Sequence, residues 1–120
     1  MTCVTDKLTD TDRDILSGCR CILEDKKALD TVVLNLAPVN PYFEYFIITT
    51  GGSMVHCRAL AKDLQRYFTE LGRRERSRAD LDSPWIVLDY DDVIVHIFTG
   101  EARGYYQLEK LWADAGRVLV

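Results

Sequence analysis

The chain has no long apolar run and no excess of basic residues. No apolar segment approaches the ~20 residues of a membrane-spanning helix, and the N-terminus lacks the basic-then-apolar layout of a secretory signal. We therefore expect a cytoplasmic protein without membrane contact. The formal net charge is -4, whereas proteins that bind several phosphates of a nucleic acid present a basic face. Specific nucleic-acid binding is not expected, and a basic protein is the better candidate partner.

The chain also lacks a metal-binding cysteine motif. Its four cysteines are Cys3, Cys19, Cys21 and Cys57, and no C-x-x-C occurs among them. On a helix, Cys19 and Cys21 would face different ways. Zinc is therefore not expected, and we predict no other metal or cofactor. We expect four reduced thiols, with Cys19 and Cys57 in the core.

The 120 residues suffice for one domain, which we place over residues 1–120 with a loose tail at 1–8. Apolar spacing and β-branched runs predict the order helix, strand, strand, helix, strand, strand, helix. Residues 73–84 are charged and turn-rich, which predicts a linker or mobile loop. The order is typical of an α+β fold with a mixed sheet and helices packed on it. Residues 9–12 offer N-caps for the first predicted helix. The other predicted elements are strands over 31–36 and 45–50, a helix over 53–71, strands over 85–88 and 93–98, and a helix over 103–112.

The last two predicted strands form a hairpin with two apolar faces. With residues 90–91 as a two-residue turn, Asp89 pairs with Asp92 and Trp85 with His96. One face is the natural core face, with Ile86, Leu88, Val93, Val95 and Ile97. The other is too apolar for plain exposure, and we expect the C-terminal helix, a partner, or both to cover it. It carries Trp85, Val87, Ile94, His96 and Phe98.

Two candidate catalytic sites compete with simpler interpretations. Gly51-Gly52-Ser53 precedes a helix and could hold a phosphate, while Asp89 and Asp91 could share a divalent metal, as in nucleotidyltransferases. Ser53 and Asp89 are too far apart in sequence for that motif, so a capped helix and a polar turn are favoured. A thiol nucleophile at Cys57, paired with His56 or His96, is disfavoured, because the adjacent His56 points elsewhere on a helix and no oxyanion-hole signature is visible. We therefore expect that the protein is not an enzyme.

The aromatic residues near the C-terminus have both a structural and a functional interpretation. A histidine on an apolar strand face, such as His96, is more simply a packed core residue beside Trp85 than a ligand. On a single helix, Tyr105, Leu108 and Trp112 share one side, with Tyr106 and Glu109 beside them. Part of this stripe must dock the helix, and the remainder suits a protein interface, where tryptophan and tyrosine are common anchors.

These residues form a long ordered motif, Trp85-Ile-Val-Leu-Asp-Tyr-x-Asp-Val-Ile-Val-His96, then Glu101-x-Arg103, then Tyr106-x-Leu-Glu-x-Leu-Trp112. The motif closely resembles that of the ribosomal silencing factor family, also called Iojap-like. Upstream, Lys26-Lys27-Ala28 and Phe46-Ile-Ile-Thr-Thr-Gly51-x-Ser53 fit as well. One departure is the turn, where the usual Tyr-Gly-Asp is Tyr90-Asp91-Asp92. Asp91 must therefore adopt a backbone conformation that glycine takes freely.

The resemblance implies an α+β domain of nucleotidyltransferase-like topology without the catalytic set. It also implies that the chain binds large-subunit ribosomal protein fourteen and sterically blocks joining of the small subunit, which represses translation when nutrients are scarce. The alternatives are a large-subunit assembly factor, as for organellar relatives, or a nucleotidyltransferase-like enzyme using Ser53, Asp89 and Asp91. A homodimer through the same sheet face is a further prediction. The predicted contact residues are Trp85, Asp89, Tyr90, Asp92, His96, Tyr105, Tyr106, Glu109 and Trp112.

Overall fold

The computed structural model describes residues 11–36, 45–111 and 116–117. The predicted tail at 1–8 and the proline-containing loop after residue 36 lie outside these ranges. The α+β class is confirmed, and the predicted order of elements is found from the first helix to the last hairpin. The elements are α1 (Thr11–Asp25), β1 (Leu29–Asn35), β2 (Tyr45–Gly51), α2 (Met54–Glu70), β3 (Trp85–Asp89), β4 (Val93–Thr99), α3 (Gly100–Tyr106), α4 (Leu108–Leu111) and β5 (Gly116–Arg117).

The strands form one mixed sheet in the order β3-β4-β2-β1-β5. Strands β2 and β4 pair in parallel, while the neighbours β3/β4, β1/β2 and β1/β5 are antiparallel. A parallel pair requires a long crossover connection, which α2 supplies. The predicted mixed sheet is thus confirmed, with β3 at one edge.

Helices α1 and α2 cover the face of the sheet that we call the inner face. Helix α2 begins where predicted, because Ser53 Oγ accepts the His56 N–H at 3.1 Å. It ends at the Leu71 cap, before Gly72 with its left-handed φ of 77°. The inner core joins apolar residues of both helices to those of the sheet, among them Leu16, Cys19, Leu23, Leu60, Leu64, Phe68, Ile47, Ile86, Leu88, Val95 and Ile97.

Helices α3 and α4 lie on the opposite, outer face. Thr99 Oγ1 caps α3 by accepting the Ala102 N–H at 3.3 Å, so the helix starts earlier than predicted. It also ends earlier, because Gln107 is left-handed with φ 48°. The single helix predicted over 103–112 is therefore wrong. Below α3 and α4 lies a second cluster of buried residues, namely Leu34, Leu36, Phe46, Ile48, Ile94, Phe98, Ala102 and Leu108.

The hairpin of β3 and β4 has the predicted faces but a different register. Trp85 lies opposite Phe98 and Val87 opposite His96, so the predicted pairing of Trp85 with His96 is wrong by two positions. Tyr90 N–H donates to Val93 O at 3.0 Å, which makes residues 91–92 the turn. A shift of two residues leaves every side chain on its predicted face. Asp91 has a φ of 77°, as its position in the turn predicts.

The segment 73–84 contains no helix or strand but is attached to the hairpin. Arg73 and Arg76 form ion pairs with Asp92 and Asp91, each at 3.1 Å. The Arg76 N–H also donates to Asp89 O at 2.8 Å, and the apolar side chains of this segment pack against the inner core. These contacts hold the charged loop against the turn of the hairpin.

Two further expectations concern cysteines and membranes. Cys19 and Cys57 are free and buried, as predicted. Cys21 is disulfide-bonded, so the expectation of four reduced thiols is wrong. Within the described ranges, no helix has the length and apolar character needed to cross a bilayer.

Candidate partner-binding surface

Four side chains at the edge of the outer face form a continuous exposed surface. Trp85 and Val87 project from the edge strand β3, and Tyr105 and Tyr106 from α3. Trp85 is half-buried, whereas Val87, Tyr106 and Tyr105 are 37%, 47% and 81% exposed. Exposed aromatic groups in one place are typical of protein interfaces. We call these four residues the aromatic surface.

Ring stacking connects this surface to the outer cluster below it. The Trp85 ring lies 5.0 Å from the Phe98 ring, nearly parallel to it, and 4.7 Å from the Tyr106 ring. Tyr105 meets Tyr106 edge-on at 5.1 Å. Phe98 is fully buried, so it anchors the stack. Such aromatic pairs contribute about 0.5–1.5 kcal/mol each beyond the area they bury.

His96 lies under the surface and not on it. It is 6% exposed, and the Trp85 Nε1–H donates to its Nδ1 at 3.0 Å. The Phe46 ring meets the imidazole edge-on at 4.5 Å. Because burial disfavours the charged form, the pKa of His96 falls from 6.5 to about 4. His96 is therefore neutral near pH 7, and its predicted contact with a partner could only act through Trp85.

Tyr90 belongs to the inner core. It is 3% exposed, and its ring stacks on that of Phe68 with centroids 3.9 Å apart. Burial raises the pKa of Tyr90 to about 12, and the nearby Glu75 adds to this shift. We therefore leave Tyr90 out of the proposed contact surface.

The acidic turn is largely neutralised by the charged loop. Asp92 and Asp91 form ion pairs with Arg73 and Arg76, as described above. Asp89 is half-buried on the same side of β3 as Trp85, and its Oδ1 accepts the Asp91 N–H at 3.0 Å. Asp89 thus extends the row that begins with Trp85 and Val87, and Asp92 lies in the turn beyond it.

The residues of the alternative enzyme do not meet. Strands β2 and β4 are parallel, with Tyr45 opposite Val93 and Gly51 opposite Thr99. Ser53 follows the end of β2, whereas Asp89 and Asp91 precede the start of β4. A strand of this length, about 20 Å at ~3.3 Å per residue, separates the two groups. They therefore cannot form one nucleotide site.

His56 and Cys57 have structural partners. The His56 Nδ1 accepts the Gly52 N–H at 2.8 Å, and its Nε2 donates to Lys26 O at 2.7 Å. The Cys57 thiol is buried against Phe98 O at 3.5 Å, and burial raises its pKa. Burial and a raised pKa both oppose thiolate formation. Among the described residues, no group of three His, Cys, Asp or Glu side chains could hold a metal ion.

Two predicted contact residues cannot be placed, and two further residues were missed. Trp112 and the side chain of Glu109 lie outside the described part of the structure. Val87 joins the aromatic surface, and its position two residues after Trp85 was a usable signal. Arg103 fixes α3 to the sheet by donating to Thr50 Oγ1 at 2.9 Å and to Asp30 O at 2.6 Å. No sequence signal shows contacts across such separations.

The fold and this surface define a small α+β domain. Two long helices cover one face of its sheet, and the other face carries exposed aromatic residues at its edge. Residues 9–120 match the model of the family described as "Ribosomal silencing factor during starvation". The chain belongs to this ribosomal silencing factor family, and the resemblance read from its motif is confirmed.

Individual relatives agree with this assignment. The chain is 36% identical to ribosomal silencing factor RsfS of Halalkalibacterium halodurans, over 80% of this chain and 83% of that protein. It is 33% identical to RsfS of Bacillus subtilis, over 86% and 88%. A mouse relative, "Mitochondrial assembly of ribosomal large subunit protein 1", is 28% identical over 76% of this chain and 42% of its own length.

Two solved structures share the fold. A crystal structure of a protein from Bacillus halodurans superposes with a TM-score of 0.77 at 31% identity, covering 90% of this chain and 99% of that one. A crystal structure of a protein from Chromobacterium violaceum gives 0.78 at 29% identity, covering 84% and 85%. The mixed sheet and its helices are therefore those of an established fold.

Proposed function

We propose that this chain is a non-enzymatic, cytoplasmic ribosomal silencing factor that binds large-subunit ribosomal protein fourteen. Bound there, it would block joining of the small subunit and so repress translation. Membership of the family and the names of its bacterial relatives support this function. The separation of Ser53 from Asp89 and Asp91 argues against the enzyme alternative.

The observation that carries the proposal is the aromatic surface. The outer cluster needs only part of α3 to close it, yet Tyr105 and Tyr106 remain exposed. Exposing two tyrosines and Val87 beside a half-buried tryptophan costs free energy in water, at about 25 cal/mol per Å² of apolar surface. A partner that covers these groups recovers that energy. Tryptophan and tyrosine are also the residue types that most often dominate binding energy.

The charge of the chain supports a basic partner. The net charge is -4, and Asp89 continues the row of Trp85 and Val87 along the edge strand. Acidic groups at the rim of an aromatic centre steer a basic partner and set its orientation, while contributing less to affinity. A ribosomal protein that contacts RNA has the required positive charge.

Occlusion follows from size. The domain measures 35 × 32 × 26 Å. Two ribosomal subunits join through surfaces in direct contact, so a body of this thickness bound at the joining face holds them apart. No catalytic step is required.

Sedimentation of tagged protein with purified ribosomal subunits tests the proposal. We expect the chain to move with free large subunits, to be absent from joined ribosomes, and to reduce the joined fraction as its concentration rises. Absence from every ribosomal fraction would refute ribosome binding. Comigration with joined ribosomes would refute occlusion.

Tyr106→Ala tests the assignment of the surface. We expect affinity for the large subunit to fall by about 1–3 kcal/mol, because an aromatic anchor is lost. Val55→Ala is the matched control, since Val55 is 70% exposed and belongs to α2, which covers the inner face, whereas Tyr106 lies on the outer face. Equal affinity of both folded variants for the large subunit would contradict the assignment.

A role in large-subunit assembly is a second candidate, favoured by the name of the mouse relative. The same surface and partner would serve it. Depletion of the chain from its cell distinguishes the two roles. Incompletely assembled large subunits would support assembly, whereas complete subunits with an increased joined fraction during starvation would support silencing.

A further inference from the structure

We infer that His96 is a positioning residue for the aromatic surface: its imidazole Nδ1 holds the Trp85 indole, and the indole in turn supports Tyr106. This inference deepens the proposed function and rests on it. It assigns His96 a role different from direct contact with a partner. The residue would act through the ring that it orients.

The hydrogen bond fixes the protonation state of the imidazole. The Trp85 Nε1–H can only donate, so His96 Nδ1 must accept and must carry a lone pair. The ring proton therefore lies on Nε2. That atom is buried and has no hydrogen-bond partner among the described residues. The imidazole thus makes one hydrogen bond in the described structure, and that bond is to the Trp85 indole.

The indole transmits this constraint to α3. With its N–H fixed, the Trp85 ring packs against Phe98, with the two ring planes 27° apart, and lies close to Tyr106. Tyr106 is also in contact with the Phe98 ring, at 6.3 Å between centroids. Without an acceptor at position 96, the indole N–H would be left unpaired in a half-buried place, which favours rotation of the ring toward water. Tyr106 would then lose its support.

The surroundings of His96 keep it neutral. The residues that face it are Val87 and Trp85 from β3, Phe46 and Ile48 from β2, and Phe98 from its own strand, none of which carries a charge near pH 7. The charged residue of β3 on this side of the sheet is Asp89, whose Oδ1 accepts the Asp91 N–H in the turn. The charged groups of α3 are Glu101, which is exposed, and Arg103, whose guanidinium is bound to Thr50 and Asp30. An apolar site of this kind disfavours the imidazolium form. The acceptor is therefore present at the pH of the cell.

The first test uses the free protein. In an NMR spectrum the Trp85 indole N–H resonance, assigned by its loss in Trp85→Phe, should shift in His96→Leu. It should stay near the native position in His96→Asn, because the asparagine Oδ1 replaces the Nδ1 acceptor. Titration from pH 7 to pH 3 should move this resonance in the native protein and leave it in place in His96→Asn. If neither the His96→Leu substitution nor acid shifts the indole resonance, the inference is overturned.

The second test measures binding to purified large subunits by sedimentation. His96→Leu should bind about tenfold more weakly, and His96→Asn should restore binding to within about threefold of the native chain. Equal binding by His96→Leu and the native chain overturns the inference, as does a loss that His96→Asn does not restore when both variants are folded. If the native chain itself does not bind, the proposed function fails. The NMR result then still decides whether His96 orients Trp85.

Discussion

The two faces of the β3–β4 hairpin are both largely apolar but are covered to different extents. The inner face carries Ile86, Leu88, Val93, Val95 and Ile97, all with 0% exposure. The outer face carries Trp85, Val87, Ile94, His96 and Phe98, of which Trp85 and Val87 reach the surface. Helices of 15 and 17 residues cover the inner face, whereas the outer face has only helices of 7 and 4 residues among those described. Apolar character alone does not distinguish core from interface, but the amount of covering chain does.

Replacing two neighbouring residues of β3, one on each face, should show the largest difference in stability between the faces. Leu88→Ala on the inner face should reduce the free energy of unfolding by about 3 kcal/mol, because the rigid core leaves a cavity. Val87→Ala on the outer face should cost less than about 1 kcal/mol, since the side chain is already partly in water. Urea denaturation measures both. Equal losses would contradict the division between the two faces.

The outer cluster should also be the more sensitive to acid. The pKa of folded His96 is lowered from 6.5 to about 4, so the unfolded chain takes up the proton first as the pH falls. The neutral histidine's contribution is complete above about pH 6.5 and is lost progressively down to about pH 4. The native chain should therefore lose about 3 kcal/mol more than His96→Asn over this range. Parallel urea midpoints for both chains across pH 7 to 4 would show that His96 makes no such contribution.

Replacing one glycine on each side of the sheet should give a smaller difference in stability. A Cβ at Gly51, where α2 closes on the sheet, would lie 2.6 Å from Cys57 Sγ and 3.0 Å from Cys57 N. Gly51→Ala should therefore cost about 2 kcal/mol of stability. A Cβ at Gly104 in α3 meets nothing within 4 Å, so Gly104→Ala should stabilise by up to about 1 kcal/mol. Melting temperatures that fall equally in both variants would refute the difference in packing.

The smallest expected effect concerns the hairpin turn that joins the two strands. Asp91→Gly and Asp91→Ala both remove the ion pair with Arg76, so their difference isolates the cost of the φ of 77°. The glycine variant should be more stable than the alanine variant by about 1 kcal/mol. Thermal unfolding of the two variants gives this difference. Equal stability would mean that the turn adopts another conformation.

Local patterns in the sequence were sufficient for the faces of the hairpin and the ends of α2. The alternation of Ile86, Leu88 and Val95 survives a register error of two, and Ser53 and Gly72 are strong helix boundaries. The register itself was mispredicted because Tyr90 stacks on Phe68, a contact between distant parts of the chain. That contact makes Tyr90 a core residue and moves the turn to residues 91–92.

The candidate site was predicted less well because its geometry depends on α3. The sequence allowed one helix through Trp112, but Gln107 turns left-handed and separates exposed Tyr105 from buried Leu108. Arg103 holds α3 by contacts with residues more than fifty positions away, for which a single sequence contains no signal. The residue types of an interface could be identified from sequence, whereas their assignment to contact or support required the fold.

The parallel pairing of β2 with β4 has a consequence for synthesis of the chain. Strand β2 is flanked by β1 and β4, and β4 is the last of these three to be made. A growing chain therefore presents β2 as an unpaired sheet edge until Val93–Thr99 has left the ribosome. Such edges attract other strands, and non-local pairing of this kind is slow to form. The nascent protein is thus most exposed to aggregation just before β4 arrives to pair with β2.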